Sequence, residues 1–307
     1  MQTYLKDLRW GRFNLIQGDM ISEIAAHYGE WSDVEVAIFH SLLTPNANAI
    51  EVGSNIGMHA VPIAKAIPQG KLLCFEPQRI IFQQLCCNLS LNNLTNVETY
   101  RMGVCDVSEK RWIESCDYSQ PWNYGSFSLD KGFSTEAQFN GSFTQEEIET
   151  VRLDDFAPAQ RLEQLSLLKI DAEGFDIPVL KGATKLIERL KPAIFIEVHP
   201  HSVEDTLAII HQLNYEAYWV ASQRYQQNNF YNAEKLNDGY DLNLICFPKD
   251  DTSTQNRTAQ HSTAQHSTAQ HSTAQHKIFA LKQLLVKAMS LEQLTNGEVP
   301  FLLKEEK

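Results

Sequence analysis

The sequence predicts an α/β chain built on a doubly wound, mostly parallel sheet. Two observations predict it. From Ala49 onward, short apolar runs alternate with stretches of helical periodicity, the pattern of strands joined by crossover helices. The first run, Ala49-Ile50-Glu51-Val52, leads directly into Gly53-Ser54-Asn55-Ile56-Gly57. A strand that turns through two glycines into a helix lets the backbone lie close against a nucleotide-like ligand, because glycine admits positive φ and carries no Cβ.

The elements follow in order. The first strand is Ala49–Val52, and a helix is expected over Met58–Ile67. Pro68-Gln69-Gly70 turns the chain into a second strand, Lys71–Phe75, which ends at Glu76. Pro77 cannot continue a ladder and suits the first turn of a helix, read over Ile80–Leu91. Asn92-Asn93 ends that helix, and Val97–Met102 is the third strand. Residues 107–150 break the rhythm. They are polar and rich in glycine and aromatics, and are read as strands and loops forming a lid or substrate wall. The rhythm resumes with a fourth strand, Leu165–Ile170, ending at Asp171, and a helix over Ile177–Leu190. A fifth strand, Ala193–Val198, ends at His199-Pro200. A helix over Val203–Leu213 leads to a sixth strand near Ala217–Val220, and Asp241–Phe247 is the seventh.

Four segments result: an N-terminal helical segment (1–45), the ligand-binding domain (46–250), a linker (251–276), and a C-terminal amphipathic helix and tail (277–307). In the linker TAQH occurs four times with a period of five. That step turns a helical side chain by roughly 140° and alternates sides on a strand. His261, His266, His271 and His276 therefore share no face, and the repeat reads as a disordered linker with no metal set. Lys277–Leu294 has Ile278, Leu281, Leu284, Leu285, Ala288 and Leu291 near helical spacing. It is a candidate surface for docking on the domain, for pairing with a partner or a second copy, or for touching a membrane surface.

Composition excludes several classes. The net charge is −12, from 26 basic and 38 acidic side chains, and no Lys/Arg cluster is visible. A nucleic-acid partner is not expected. No apolar run is long enough to span a membrane, and no signal-peptide core opens the chain. The six cysteines show no CxxC pair; reduced thiols in a cytoplasmic protein are the expectation.

Ligands of an open parallel sheet bind at the carboxyl ends of its strands. Polar residues gather at those ends: Glu51 with the glycine turn, Glu76, Asp106, Asp171 with Glu173, and Glu197 with His199. One strand-end polar residue means little, since strands end in polar residues anyway; five ends on one edge mean more. Glu76 has two carboxylate oxygens at diol spacing and reads as a ribose ligand. Asp106 reads as an acceptor for an adenine amino group or as a turn residue. Asp171 reads as a general base or a helix N-cap. His199 is a second candidate base, titrating near neutrality, or an ordinary strand-end histidine. Asn55 stands where a dinucleotide fold has its middle glycine, so the expected ligand lacks a pyrophosphate. S-adenosylmethionine is the chief candidate, its amino and carboxylate groups meeting Glu51 and the turn amides. A nicotinamide-dependent oxidoreductase and a non-catalytic interaction protein are the competing readings.

Several blocks together match one family. They are Gly29-Glu30-Trp31-Ser32, Glu51-Val-Gly53-Ser-Asn55-Ile-Gly57, Phe75-Glu76-Pro77, Asn92-Asn93-Leu94, Asn123-Tyr-Gly125-Ser126, Leu153-Asp154-Asp155-Phe156, Lys169-Ile-Asp171-Ala-Glu173-Gly174, Gly182-Ala183 and Ile196-Glu197. With these the chain resembles the FkbM-type S-adenosylmethionine-dependent methyltransferases. The resemblance implies a Rossmann-like, doubly wound, seven-stranded sheet of the class I methyltransferase type, its last strand antiparallel. It implies methyl transfer to a hydroxyl of a sugar, glycan or small natural product. Glu51, Gly53, Asn55, Gly57 and Glu76 would then carry the cofactor, and Asp171, Glu173 and Glu197 would line the reacting end. Many relatives have Asp where this first strand carries Glu51. The repeat and final helix lie outside the family pattern.

Overall fold

The computed structural model describes residues 1–118, 120–128, 132–133, 143–249 and 276–302. The TAQH linker lies outside the described residues, apart from His276.

A hairpin of β1 (Thr3–Leu8) and β2 (Gly11–Ile16) opens the chain, before helices α1 (Met20–Tyr28) and α2 (Asp33–Leu42). The expected helical segment over 1–45 thus opens with a strand hairpin before its two helices. Phe13 and Leu15 are buried while Arg12 is exposed, which is the two-residue period of a strand lying on a core. Asp19 caps α1, accepting from the backbone N–H of Ser22 at 2.9 Å.

The central sheet then runs β3 (Ala49–Val52), α3 (Ala60–Ala66), β4 (Leu72–Phe75), α4 (Arg79–Leu91) and β5 (Val97–Tyr100). The expected third strand stops at Tyr100. Its continuation, β6 (Met102–Val104), leaves for a three-stranded sheet with β7 (Glu109–Cys116) and β10 (Phe143–Val151). Short strands β8 (Phe127–Ser128) and β9 (Gly132–Phe133) pair between them. After α5 (Ala157–Gln160) come β11 (Leu167–Ile170), α6 (Asp176–Gly182), α7 (Thr184–Leu190), β12 (Ala193–Glu197), α8 (Val203–Gln212), β13 (Tyr215–Gln223) and β14 (Tyr240–Pro248). The helix expected over 177–190 is two, divided at Ala183.

The described C-terminal residues form α9 (276–284), α10 (Glu292–Thr295) and β15 (Phe301–Leu302). The single helix expected over 277–294 breaks after 284 for a physical reason. Trp219 N–H donates to Val286 O and Ala288 N–H donates to Ala217 O, both at 2.8 Å. These bonds satisfy the open edge of β13, and they need extended rather than helical backbone. Leu285 and Ala288 are buried there.

The large sheet has the order β15-β13-β14-β12-β11-β3-β4-β5. β14 runs antiparallel to both neighbours, and the remaining pairs are parallel. The seven expected strands are present with the seventh antiparallel, and β15 adds an eighth at the edge. Every residue of β3, β4 and β11 is buried, as strands covered on both faces should be. Alternate side chains feed two cores: Ala49, Leu72 and Leu167 one way, Ile50, Leu73 and Leu168 the other. Chain order reverses between β3 and β11. That reversal opens a crevice beyond their carboxyl ends, where this class of sheet binds its ligands.

Candidate active site

The turn after β3 forms one wall. Gly53 (φ +76) and Asn55 (φ 47) are both left-handed. A Cβ on Gly53 would lie 1.8 Å from the backbone oxygen of Asp171, so only glycine lets β3 and β11 converge here. Asn55 folds its own Oδ1 onto the Ile56 N–H at 2.7 Å. Its backbone N–H donates to Glu76 Oε2 at 3.0 Å, and Gln78 N–H donates to Glu76 Oε1 at 2.9 Å. The buried carboxylate is thus pinned by one donor per oxygen, with acceptor capacity left on each. Burial lifts its pKa to about 7 against the pull of those two donors.

Lys169 forms the floor. Its side chain is only 2% exposed, with Nζ 3.1 Å from Asp171 Oδ2 and 3.6 Å from Glu51 Oε1. Burial alone would depress the ammonium, but Asp171, Glu51 and Glu35 more than offset it and hold its pKa above the usual lysine value. Burial pushes the Glu51 carboxyl up to about 7 despite Lys169. Asp171 keeps more than a third of its side-chain surface, 38%, so it faces the crevice.

Beyond Asp171, the loop after β11 and the end of β12 bring Glu173, Glu197 and His199 together, with ligand atoms within 4.8 Å of one another. His199 Nε2 lies 3.3 Å from Glu197 Oε2. Burial first, then Asp171, raises Glu197 to about 7; burial first, then Glu197 and Asp171, raises Glu173 well above the usual carboxylate range. The Glu197 contact raises His199. Glu173 sits with this pair rather than along the glycine turn.

Glu51, Gly53, Asn55, Glu76, Asp171, Glu173 and Glu197 all line one crevice. Gly57, Asp106 and His199 do not. Gly57 (φ +90) packs beneath the turn, where a Cβ would lie 3.0 Å from Leu85. The chain at Asp106 is drawn away: Arg152 donates to its backbone oxygen at 2.7 Å, and Gly182 packs against it. Met102, Gly103 and Val104 line that end of the crevice instead.

Other lining residues escaped the sequence reading. Glu35 of α2 is buried and accepts from Ser222 Oγ at 3.1 Å and Asn243 Nδ2 at 2.9 Å. Burial first, then Asp241, raises its pKa. His59 is buried 3.6 Å from Glu35, and burial, then Lys169, lowers its pKa. Arg224 pairs with Asp241 at 2.7 Å and lies over the Trp31 ring at 5.3 Å. An acid inside the apolar run Val34-Glu35-Val36 was a readable signal. The Arg224–Asp241 pair was not, because it arises from the β13–β14 register. The segment 121–126 also closes on the site. Gln78 Nε2 donates to Tyr124 O at 2.9 Å, and a Cβ on Gly125 would lie 2.6 Å from Asn55 Nδ2.

These residues fit an adenosyl ligand without a pyrophosphate. Glu76 offers two oxygens for a diol, and the Gly53 turn leaves no Cβ in the way. The Ile56 N–H is taken by Asn55 Oδ1. Glu51 and Asp171 supply negative charge beside the turn.

A doubly wound sheet with these acids at its switch point defines an α/β protein of the nucleoside-ligand class. More narrowly, the chain belongs to the methyltransferase FkbM domain family, whose model matches residues 51–217. It is 29% identical over 162 residues to methyltransferase sdnD of Sordaria araneosa, covering 46% of this chain and 61% of that protein. It is 27% identical over 143 residues to methyltransferase 1 of Beauveria bassiana, covering 43% of this chain and 57% of that protein. It is 23% identical over 154 residues to the 2-O-methyltransferase NoeI of Sinorhizobium fredii, covering 48% of this chain and 61% of that protein. The chain spans about six-tenths of the length of these curated relatives. Among the described residues, no helix is long and apolar enough to cross a membrane. Cys74, Cys86, Cys87, Cys105 and Cys246 are free thiols.

Proposed function

We propose that the protein is an S-adenosylmethionine-dependent O-methyltransferase acting on a hydroxyl of a sugar, glycan or small natural product. The observation that carries the reading is the convergence of Glu51, Glu76 and Asp171 on one crevice at the β3–β11 switch point. The likeness to a protein named as a 2-O-methyltransferase supports oxygen as the acceptor atom.

Glu76 holds the ribose hydroxyls, and Glu51 faces the amino-acid end. When bound, the donor supplies a methyl group that is already activated, so the work left to the protein is positioning and proton removal. A hydroxyl is a poor nucleophile. Asp171, exposed to the crevice and oriented by Lys169, takes its proton as the new C–O bond forms. The wall of Trp31, Arg224, Asp241, Glu173 and Glu197 receives the acceptor. Acids outnumber the lysine and arginine that line this crevice, Lys169 and Arg224, which favours an uncharged polyhydroxyl acceptor over an anionic one.

Incubation with methyl-labelled donor and candidate hydroxylated acceptors, with products identified by mass, tests the reading. Label on an acceptor oxygen is the expected result; donor binding without transfer to any hydroxylated acceptor contradicts it. A nicotinamide cofactor is disfavoured because Asn55 stands where a dinucleotide fold has its middle glycine.

A further inference from the structure

We propose that Glu173, Glu197 and His199 form a divalent-cation site on the acceptor wall of the crevice, suited to a cation that accepts both oxygen and nitrogen ligands, such as Mn2+. Three observations carry it. The potential ligand atoms lie within 4.8 Å of one another. Two ligands on one ion are about 3–4.5 Å apart for bonds of about 2.0–2.3 Å, so small side-chain rotations close the set. Second, Glu197 Oε2 and His199 Nε2 are buried atoms without a hydrogen-bond partner, although only 3.3 Å separates them. Buried polar atoms are normally fully satisfied; these two have only their 3.3 Å contact with each other, and a shared cation would satisfy both. Third, Glu173 adopts φ 52, a left-handed conformation that a non-glycine residue takes at a cost, at the point where its carboxylate meets β12.

The charge balance agrees. Lys169 is paired with Asp171 and Arg224 with Asp241. Among the described residues, no lysine or arginine is ion-paired with Glu173 or Glu197. Two carboxylates and an imidazole match the ligand preference of Mn2+ better than that of the softer, thiolate-seeking metals. The site comes from three positions on two adjacent strand ends, and no short sequence motif announces it.

Resting on the proposed methyl transfer to a hydroxyl, the cation has a role there. It holds the acceptor oxygen and lowers the pKa of its proton, which then passes to Asp171. His199, as a ligand, is not the base.

Mn2+ titration of the full-length protein, followed by electron paramagnetic resonance without methyl donor, tests the site directly. One Mn2+ per chain is expected, with binding weakened ten-fold or more in Glu173→Gln, Glu197→Gln and His199→Ala. Circular dichroism confirms that each variant folds, and the near-isosteric glutamine variants cover the case in which His199→Ala does not. No bound Mn2+ at millimolar concentration overturns the site. So does Mn2+ binding that all three folded variants retain. Donor calorimetry on the same samples separates the two readings: donor binding without Mn2+ binding removes the cation site and leaves methyl transfer standing. Stoichiometric Mn2+ binding without donor binding supports the site and removes the methyl-transfer reading.

Discussion

Glu76 Oε2 accepts the backbone N–H of Asn55 at 3.0 Å, tying the end of β4 to the turn that follows β3. The bond fixes both the carboxylate and the left-handed turn before any ligand arrives. Such preorganisation lowers the ordering cost of binding. Glu76→Ala is expected to weaken S-adenosylmethionine binding by about 1–3 kcal/mol, the scale of a hydrogen bond to a charged group. Calorimetry checks this, and an unchanged dissociation constant would remove Glu76 as the ribose ligand.

Donor affinity should depend on pH. Burial places the Glu76 pKa at about 7 in the free protein. A diol donates two hydrogen bonds that only the ionised carboxylate accepts in full, so binding selects the deprotonated form. Affinity for S-adenosylhomocysteine is therefore full above about pH 8 and falls as the pH drops through about 7. Glu51, also near 7, acts in the same direction. Glu76→Gln cannot ionise and should show a shallower slope; equal slopes in the two proteins would contradict the assignment.

Asp171→Asn keeps the shape of the side chain and removes its basicity. Turnover is expected to fall by about 10²–10⁴, the usual contribution of a general base, while donor affinity changes little. Single-turnover assays at saturating donor measure it. Retained turnover would take the base role from Asp171.

Much of this site was readable in the chain. β3, β4 and β11 are four-residue runs buried on both faces and apolar but for Glu51 and Lys169, and such runs are distinct from helical patterns when glycine or proline follows them. The acids at their ends stand in sequence where the sheet places them in space. Asp106 failed because the third strand is interrupted at Arg101 and its continuation joins another sheet. Arg224 and Asp241 were not legible for a different reason. They reach the crevice through tertiary packing and antiparallel register, which no local period encodes. The β1–β2 hairpin was missed because β1 is half exposed and its Arg9-Trp10 turn lacks the Asn-Gly or Asp-Gly pattern of common hairpins.

The C-terminal segment is a structural part of the domain edge. Leu285 is 8% exposed and packs into the same core as Phe195 and Ile245. Leu285→Ala should destabilise the protein by about 2–3 kcal/mol, toward the low end for core truncations because the site is peripheral. Denaturant unfolding reads the change. A loss below about 0.5 kcal/mol, typical of surface substitutions, would show that the segment does not hold the β13 edge.

The central claim is that the acids of β3, β4 and β11 form a single adenosyl-sulfonium pocket. Titration calorimetry of the full-length protein with S-adenosylmethionine, S-adenosylhomocysteine and NAD tests it most directly. Saturable binding of the first two, one per chain, and none of NAD is the predicted result. Absence of heat with both the methyl donor and its demethylated product, in a protein shown to be folded, would contradict it.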